Sequence, residues 1–256
     1  MSSQNASAVA QAILDARRQN RPIDARPFAD QLAAPEDAYA VQALVAEAMQ
    51  GPNAPFPVFW KTGGPSRDAL ATHAALPPEG IWRSPAQAGA WPFNICLIEA
   101  EVALRLGKPV TAAEAAALSH EQAIALVDAM TVSIELVDSR WHQSVDAPAL
   151  LKLADLQSHG ALVLGNWIAF AQRDWKAQSC TVQIGSRPAV EWRGTHSMGD
   201  PTWVLPAWLQ HATRDGQTVP AGTVVTTGTW CGMLPAAQGE RVLARFEGLG
   251  EATVQL

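Results

Sequence analysis

Residues 95–106 read Ile-Cys-Leu-Ile-Glu-Ala-Glu-Val-Ala-Leu-Arg-Leu. Cys96, Ile98, Ala100, Val102, Leu104 and Leu106 are apolar at every second position, with Glu99, Glu101 and Arg105 between them. A period of two marks a β-strand with one face on a core and the other turned away from it. Glu99 and Glu101 then share the second face, roughly 6–7 Å apart. Carboxylates at that spacing repel unless a cation lies between them. The spacing alone leaves two possibilities: a solvated strand face, or two oxygen ligands for a hard divalent ion such as Mg²⁺ or Mn²⁺.

Downstream, Thr131–Val137 has the same period, with Val132, Ile134 and Leu136 on one face and Ser133 and Glu135 on the other. Further strands are expected at 161–164, 179–184, 189–193, 224–229, 241–246 and 252–256. Between strands, Thr111 with Glu114 and Ser119 with Gln122 have the form of capping boxes that open short helices. A helix is expected over 147–157, and another from Asp200 (N-cap) and Pro201 to about Thr213. Upstream, apolar residues at helical spacing predict helices over 7–20, with Ser7 as cap, and 35–50, between Pro35 and Gly51. Residues 51–95 hold eight prolines and no sustained period, which predicts short strands and ordered loops. Helices first and strands later define an α+β class.

Composition narrows the function classes. The chain has 256 residues, 48% of them hydrophobic and 16% charged, so a large core is expected rather than disorder. Its net charge of −6 argues against a general nucleic-acid binder. Three separated cysteines give neither a disulfide framework nor a zinc ribbon and fit a reducing compartment. The N-terminal stretch lacks the apolar run of a signal peptide or membrane span, so a cytoplasmic protein with no membrane partner is expected.

Other segments carry possible chemistry. Lys61 lies in the apolar, glycine-bounded run Phe59-Trp60-Lys61-Thr62-Gly63-Gly64. Lysine is rarely buried without a partner. Glu135 is followed by Asp138 and Arg140, open to a local ion pair or to a site. Asp155-Leu-Gln-Ser-His-Gly160 and Val225-Thr-Thr-Gly-Thr-Trp-Cys-Gly232 are polar, glycine-containing turns. His159 is equally open to acid–base work or to a structural hydrogen bond, whereas His142 and His196 are expected to be structural.

The order of these segments resembles the fumarylacetoacetate hydrolase superfamily. Within it the chain is most similar to the branch of 2-keto-4-pentenoate hydratases and 4-oxalocrotonate decarboxylases. The resemblance runs from about Asp37 to the C-terminus and rests on Glu99-Ala-Glu101 with Ile-Glu135-Leu-Val-Asp-Ser-Arg140 about 35 residues on. It implies a mixed β-roll after an N-terminal helical and loop region, divided here as 1–60 and 61–256. It implies Mg²⁺ or Mn²⁺ on Glu99, Glu101 and Glu135, Lys61 reaching substrate, Ser158 near the substrate carboxylate, and Thr229, Trp60 and Trp230 lining the site. Trp203 falls in a similar segment, and flat apolar walls would suit a larger or more apolar substrate. The implied activity is hydration of a 2-hydroxydienoate-type 2-oxo acid through a metal-stabilised enolate. Decarboxylation or C–C hydrolysis of an acylpyruvate-like substrate, or metal binding without catalysis, are the alternatives. A homo-oligomer is implied by analogy.

Two departures from the branch stand out. Its acidic residue before the metal strand is replaced by proline in Pro77-Pro78-Glu79-Gly80, which moves the acid to Glu79. Leu156 and His159 stand where asparagine and a small residue are usual, which makes His159 a candidate acid or base.

Overall fold

The computed structural model describes residues 3–256, so the polar start at Met1 and Ser2 lies outside the described residues. The helices are α1 (Ser3–Gln19), α2 (Pro35–Gln50), α3 (Ala112–Ala117), α4 (His120–Ile124), α5 (Ala149–Ala154) and α6 (Leu205–Ala212). The strands run β1 (Phe59–Gly63), β2 (Thr72–Ala75), β3 (Ile81–Arg83), β4 (Ala86–Gln87), β5 (Leu97–Leu106), β6 (Val127–Val137) and β7 (His159–Leu164). They continue as β8 (Ile168–Ala169), β9 (Ser179–Ile184), β10 (Val190–Arg193), β11 (Val224–Thr226), β12 (Leu234–Pro235), β13 (Arg241–Phe246) and β14 (Gly250–Gln255). The chain forms two compact units.

Among the described residues, the first unit comprises 3–55, 90–96 and 137–160. Helix α1 begins one turn before Ser7, which therefore lies inside it rather than capping it. Asn20, at φ 47°, ends α1, and Arg21 N–H donates to Ala16 O at 3.1 Å in a Schellman closure. In α2, Pro35 takes the first turn and Asp37 Oδ2 accepts from the amides of Ala33 (2.8 Å) and Ala34 (3.1 Å). Val9, Ile13, Ala38, Val41, Val45, Trp141 and Leu151 form the core of this unit. Helix α5 is shorter than the expected 147–157. After Asp155 the chain turns left-handed through Leu156, Gln157 and Ser158, with φ of 51°, 55° and 59°. A buried ionic knot fixes that turn. Arg140 Nε donates to Asp155 Oδ1 at 2.6 Å, Arg140 Nη1 meets Asp138 Oδ2 at 3.2 Å, and Arg140 Nη2 donates to the carbonyl of His159 at 2.8 Å.

The second unit comprises residues 56–89, 97–136 and 161–256. Its larger sheet has the order β2-β1-β11-β5-β6-β7-β3, with β12 added to β5 and β8 to β6. Strands β1 and β11 are parallel, as are β3 and β7, while β5 runs antiparallel to β11, so the sheet is mixed. The smaller sheet has the order β10-β9-β13-β14-β4. Gly165 marks a close approach between the two: a Cβ there would lie 2.6 Å from Glu251 O of β14 and 3.1 Å from Val132 O of β6. Strand β6 extends back to Val127, four residues before the expected start. Strand β11 stops at Thr226, three residues before the expected end, because Thr227 and Gly228 leave the ladder to serve the site described next. Both capping boxes are formed: Glu114 N–H donates to Thr111 Oγ1 at 3.3 Å, and Gln122 N–H to Ser119 Oγ at 3.2 Å. Asp200 caps as expected, but the first turn (Pro201–Val204) is a 3₁₀ helix before α6.

Candidate metal centre

Strand register assembles the site. Lys61 of β1 pairs with Thr226 of β11, and Thr226 with Ala103 of β5. Residues paired across neighbouring strands share a face, and so do alternate residues along one strand. Lys61 and Thr226 therefore stand on the face that carries Glu101 and, two positions on, Glu99. From β6 the face receives Ser133 and Glu135.

Ligand oxygens of Glu99, Glu101 and Glu135 all lie within 4.8 Å of one another, with Glu99 partly buried and the other two buried. Lys61 Nζ donates to Glu135 Oε1 at 2.5 Å. Glu101 Oε2 accepts from Thr226 Oγ1 and from Gly228 N–H at 3.0 Å. Ser133 Oγ lies 2.9 Å from Thr226 Oγ1, which extends the hydroxyl chain. Gly228 has φ +109°, a conformation that glycine adopts without strain, and this aims its amide at the carboxylate.

Burial, then the charges of Glu101 and Glu135, pushes Glu99 up to about 8. Burial and Glu135 push Glu101 up to about 7. Burial works against the Lys61 ammonium, but the charges of Glu135, Glu99 and Glu101 outweigh it and hold its pKa above the ordinary lysine value. With all groups ionised, three carboxylates against one ammonium leave two uncompensated negative charges in a buried place. A divalent cation matches both that charge and an all-oxygen donor set, so the residues fit a divalent metal ion.

Glu79 is exposed in a short 3₁₀ turn (Pro78–Gly80) and is not brought to the cluster. Ser158 and His159 are buried in the first unit, where the carbonyl of Ser158 accepts from Asp138 N–H at 2.9 Å. Thr229 Oγ1 is held in its own turn, donating to Gly232 O at 3.1 Å and accepting from Cys231 N–H at 3.2 Å. Trp60 is 5% exposed; its indole donates to Pro57 O, and its ring packs on Phe56 and Trp208. Trp230, at 1% exposure, packs on Trp175 and Phe246. Both rings are buried and pack against other aromatic groups, edge-on to Trp208 and Phe246. Trp203 is partly exposed beneath the Arg67 guanidinium, 4.2 Å from its ring centroid.

Thr226 and Gly228 fall in the segment 225–232 noted for possible chemistry, and Ser133 on the polar face of its strand, but none of the three is assigned a role from the sequence. Ser133 was detectable, since it lies two residues from Glu135 on the polar face of β6. The part played by Thr226 depends on its pairing with β5, which no local pattern reveals.

A curled mixed sheet with three clustered carboxylates and a lysine on one face defines a carboxylate-lined β-roll. The chain matches the family model "Fumarylacetoacetate (FAA) hydrolase C-terminal" over residues 37–256, and it belongs to that family. It is 31% identical over 162 residues to 2-keto-4-pentenoate hydratase 2 of Dechloromonas aromatica (strain RCB). It is 27% identical over the same length to 2-hydroxyhexa-2,4-dienoate hydratase of Comamonas testosteroni. Each match covers 61% of this chain and 58% of the relative, so the likeness spans little more than half of those proteins. In fold the chain is similar to 4-oxalocrotonate decarboxylase from Pseudomonas putida G7, complexed with magnesium and adipate. That likeness has a TM-score of 0.85 at 19% identity and covers 100% of this chain and 98% of the other.

Proposed function

We propose that this protein is a divalent-metal-dependent lyase that hydrates a 2-hydroxydienoate-type 2-oxo acid. The observation that carries the proposal is the convergence of Glu99, Glu101 and Glu135 within 4.8 Å, with Lys61 on the same face. The named hydratase relatives support it. Glu99, Glu101 and Glu135 would hold Mg²⁺ or Mn²⁺, which when bound supplies Lewis-acid stabilisation of charge developing on the 2-oxo oxygen. Thr226 and Gly228 orient Glu101 by donating to it, and Glu135 draws Lys61 into place. Lys61 Nζ stays an ammonium, so it pairs with the anionic substrate or delivers a proton rather than taking one up. Residues 61–256 form the catalytic part, its carboxylates and Lys61 lying in the second unit; self-association and a cytoplasmic location belong with this reading.

Decarboxylation is the second reading, and the exposure of Glu79 favours it. Hydration of a dienol needs proton delivery at two carbons, whereas loss of CO₂ leaves one site to protonate. The test is incubation with Mg²⁺ and either a 2-hydroxydienoate or its carboxylated precursor, followed by mass spectrometry. Gain of water supports the first reading and loss of CO₂ the second. Unchanged Mn²⁺ affinity in both Glu99→Ala and Glu135→Ala would refute the site itself.

A further inference from the structure

The segment Thr195–Met198 clasps two parts of the second unit that carry the site. On one side Thr195 Oγ1 donates to Trp230 O at 2.5 Å, and His196 Nε2 lies 2.9 Å from Thr227 O. On the other, Ser197 Oγ donates to Gly64 O at 2.8 Å, just beyond the strand of Lys61, and Arg67 Nε donates to Met198 O at 2.6 Å. Glycine alone suits the entry to this segment: Gly194 has φ +63°, and a Cβ there would collide with the Lys176 carbonyl.

The hydrogen bonds of His196 settle its tautomer. Nδ1 accepts from Met198 N–H at 3.3 Å, so the ring hydrogen is on Nε2 and is donated to Thr227 O. Thr227 Oγ1 also donates to Val102 O at 2.7 Å, which pins the same residue against β5. The next amide along the chain is Gly228 N–H, the donor to Glu101.

We propose that His196 is a positioning residue for Glu101: its Nε2–H fixes the Thr227 carbonyl, and thereby the Gly228 amide that orients the carboxylate for a divalent cation. This rests on the metal-site reading above, and deepens it by adding a residue that touches neither ion nor substrate. Outer groups that orient ligands typically change metal affinity by about 10–100-fold when removed.

The test is calorimetric titration of the full chain with Mn²⁺ alone, with melting temperatures recorded for each variant. Glu101→Gln is the control for the site. His196→Asn can accept from Met198 N–H but is too short to reach Thr227 O. In His196→Gln the amide nitrogen can take the place of Nε2. The expected result is Mn²⁺ binding about 10-fold weaker in His196→Asn and restored to within about 3-fold of the parent in His196→Gln. Parent-like affinity in His196→Asn, failure of that variant to fold, or a loss that His196→Gln does not recover each overturns the positioning role while leaving the metal site standing. Parent-like affinity in Glu101→Gln overturns both.

Discussion

Lowering the pH should weaken the fold through a buried histidine next to the lysine strand. His73 of β2 is 4% exposed, its Nδ1 lies 2.7 Å from Thr62 Oγ1, and its ring is 4.7 Å from that of His211 on α6. Burial, then the neighbouring His211 and Arg214, pushes His73 from 6.5 down to about 3. A histidine depressed in the folded state is neutral there, while the unfolded chain takes up a proton below its ordinary pKa. Stability from this group is therefore complete above about pH 6.5 and falls as pH drops towards 3. At pH 5 the unfolded imidazole lies about 1.5 units below its pKa, which at about 1.4 kcal/mol per unit costs about 2 kcal/mol. His73→Asn keeps a polar atom for Thr62 and removes the titration. Urea unfolding in EDTA at pH 7.5 and 5.0 gives the change in stability for each protein, and contributions common to both cancel. The parent should lose about 2 kcal/mol more than the variant over this interval. Equal losses would refute the assignment of acid sensitivity to His73.

Three further outcomes follow from the packing and the site. Gly165→Ala should destabilise by about 1–3 kcal/mol in urea unfolding, because its new methyl meets two backbone carbonyls that cannot swing aside. Arg140→Leu should cost about 3–5 kcal/mol, since Asp138 and Asp155 lose a buried partner, and a thermal midpoint within error of the parent would contradict this. Thr226→Val should weaken Mn²⁺ binding by about 10-fold in calorimetry, because Glu101 loses its hydroxyl donor without change of side-chain shape.

Local patterns carried much of the fold. The alternation in residues 95–106 located β5 to within two residues, Pro35 and Gly51 bounded α2, and both capping boxes opened the helices expected of them. Elements set by distant partners were harder to place. Nothing local in Leu156-Gln-Ser158 announces three successive left-handed residues; they follow from Arg140 gripping Asp155 and the His159 carbonyl. Glu99, Glu101 and Glu135 were legible because strand period put each on a polar face, and the family resemblance then joined them. For Trp60 and Trp230 the sequence alone does not separate lining a site from filling the core, and the structure shows both rings buried among other aromatics. His196 was expected to be structural, and its bond to the Thr227 carbonyl, at the exit of another strand, is one that no local pattern reveals.

The pairing of β1 with β11 bears on how the protein is made. Lys61 and Thr226 become neighbours only after a parallel alignment between segments from opposite ends of the second unit. Closing so long a loop is entropically late, and non-local pairing of this kind slows folding. Lys61 and Thr226, which hold Glu135 and Glu101, therefore join the carboxylate cluster late in folding. Cation uptake would then serve as a stopwatch for the arrival of native topology, measurable during refolding without any substrate.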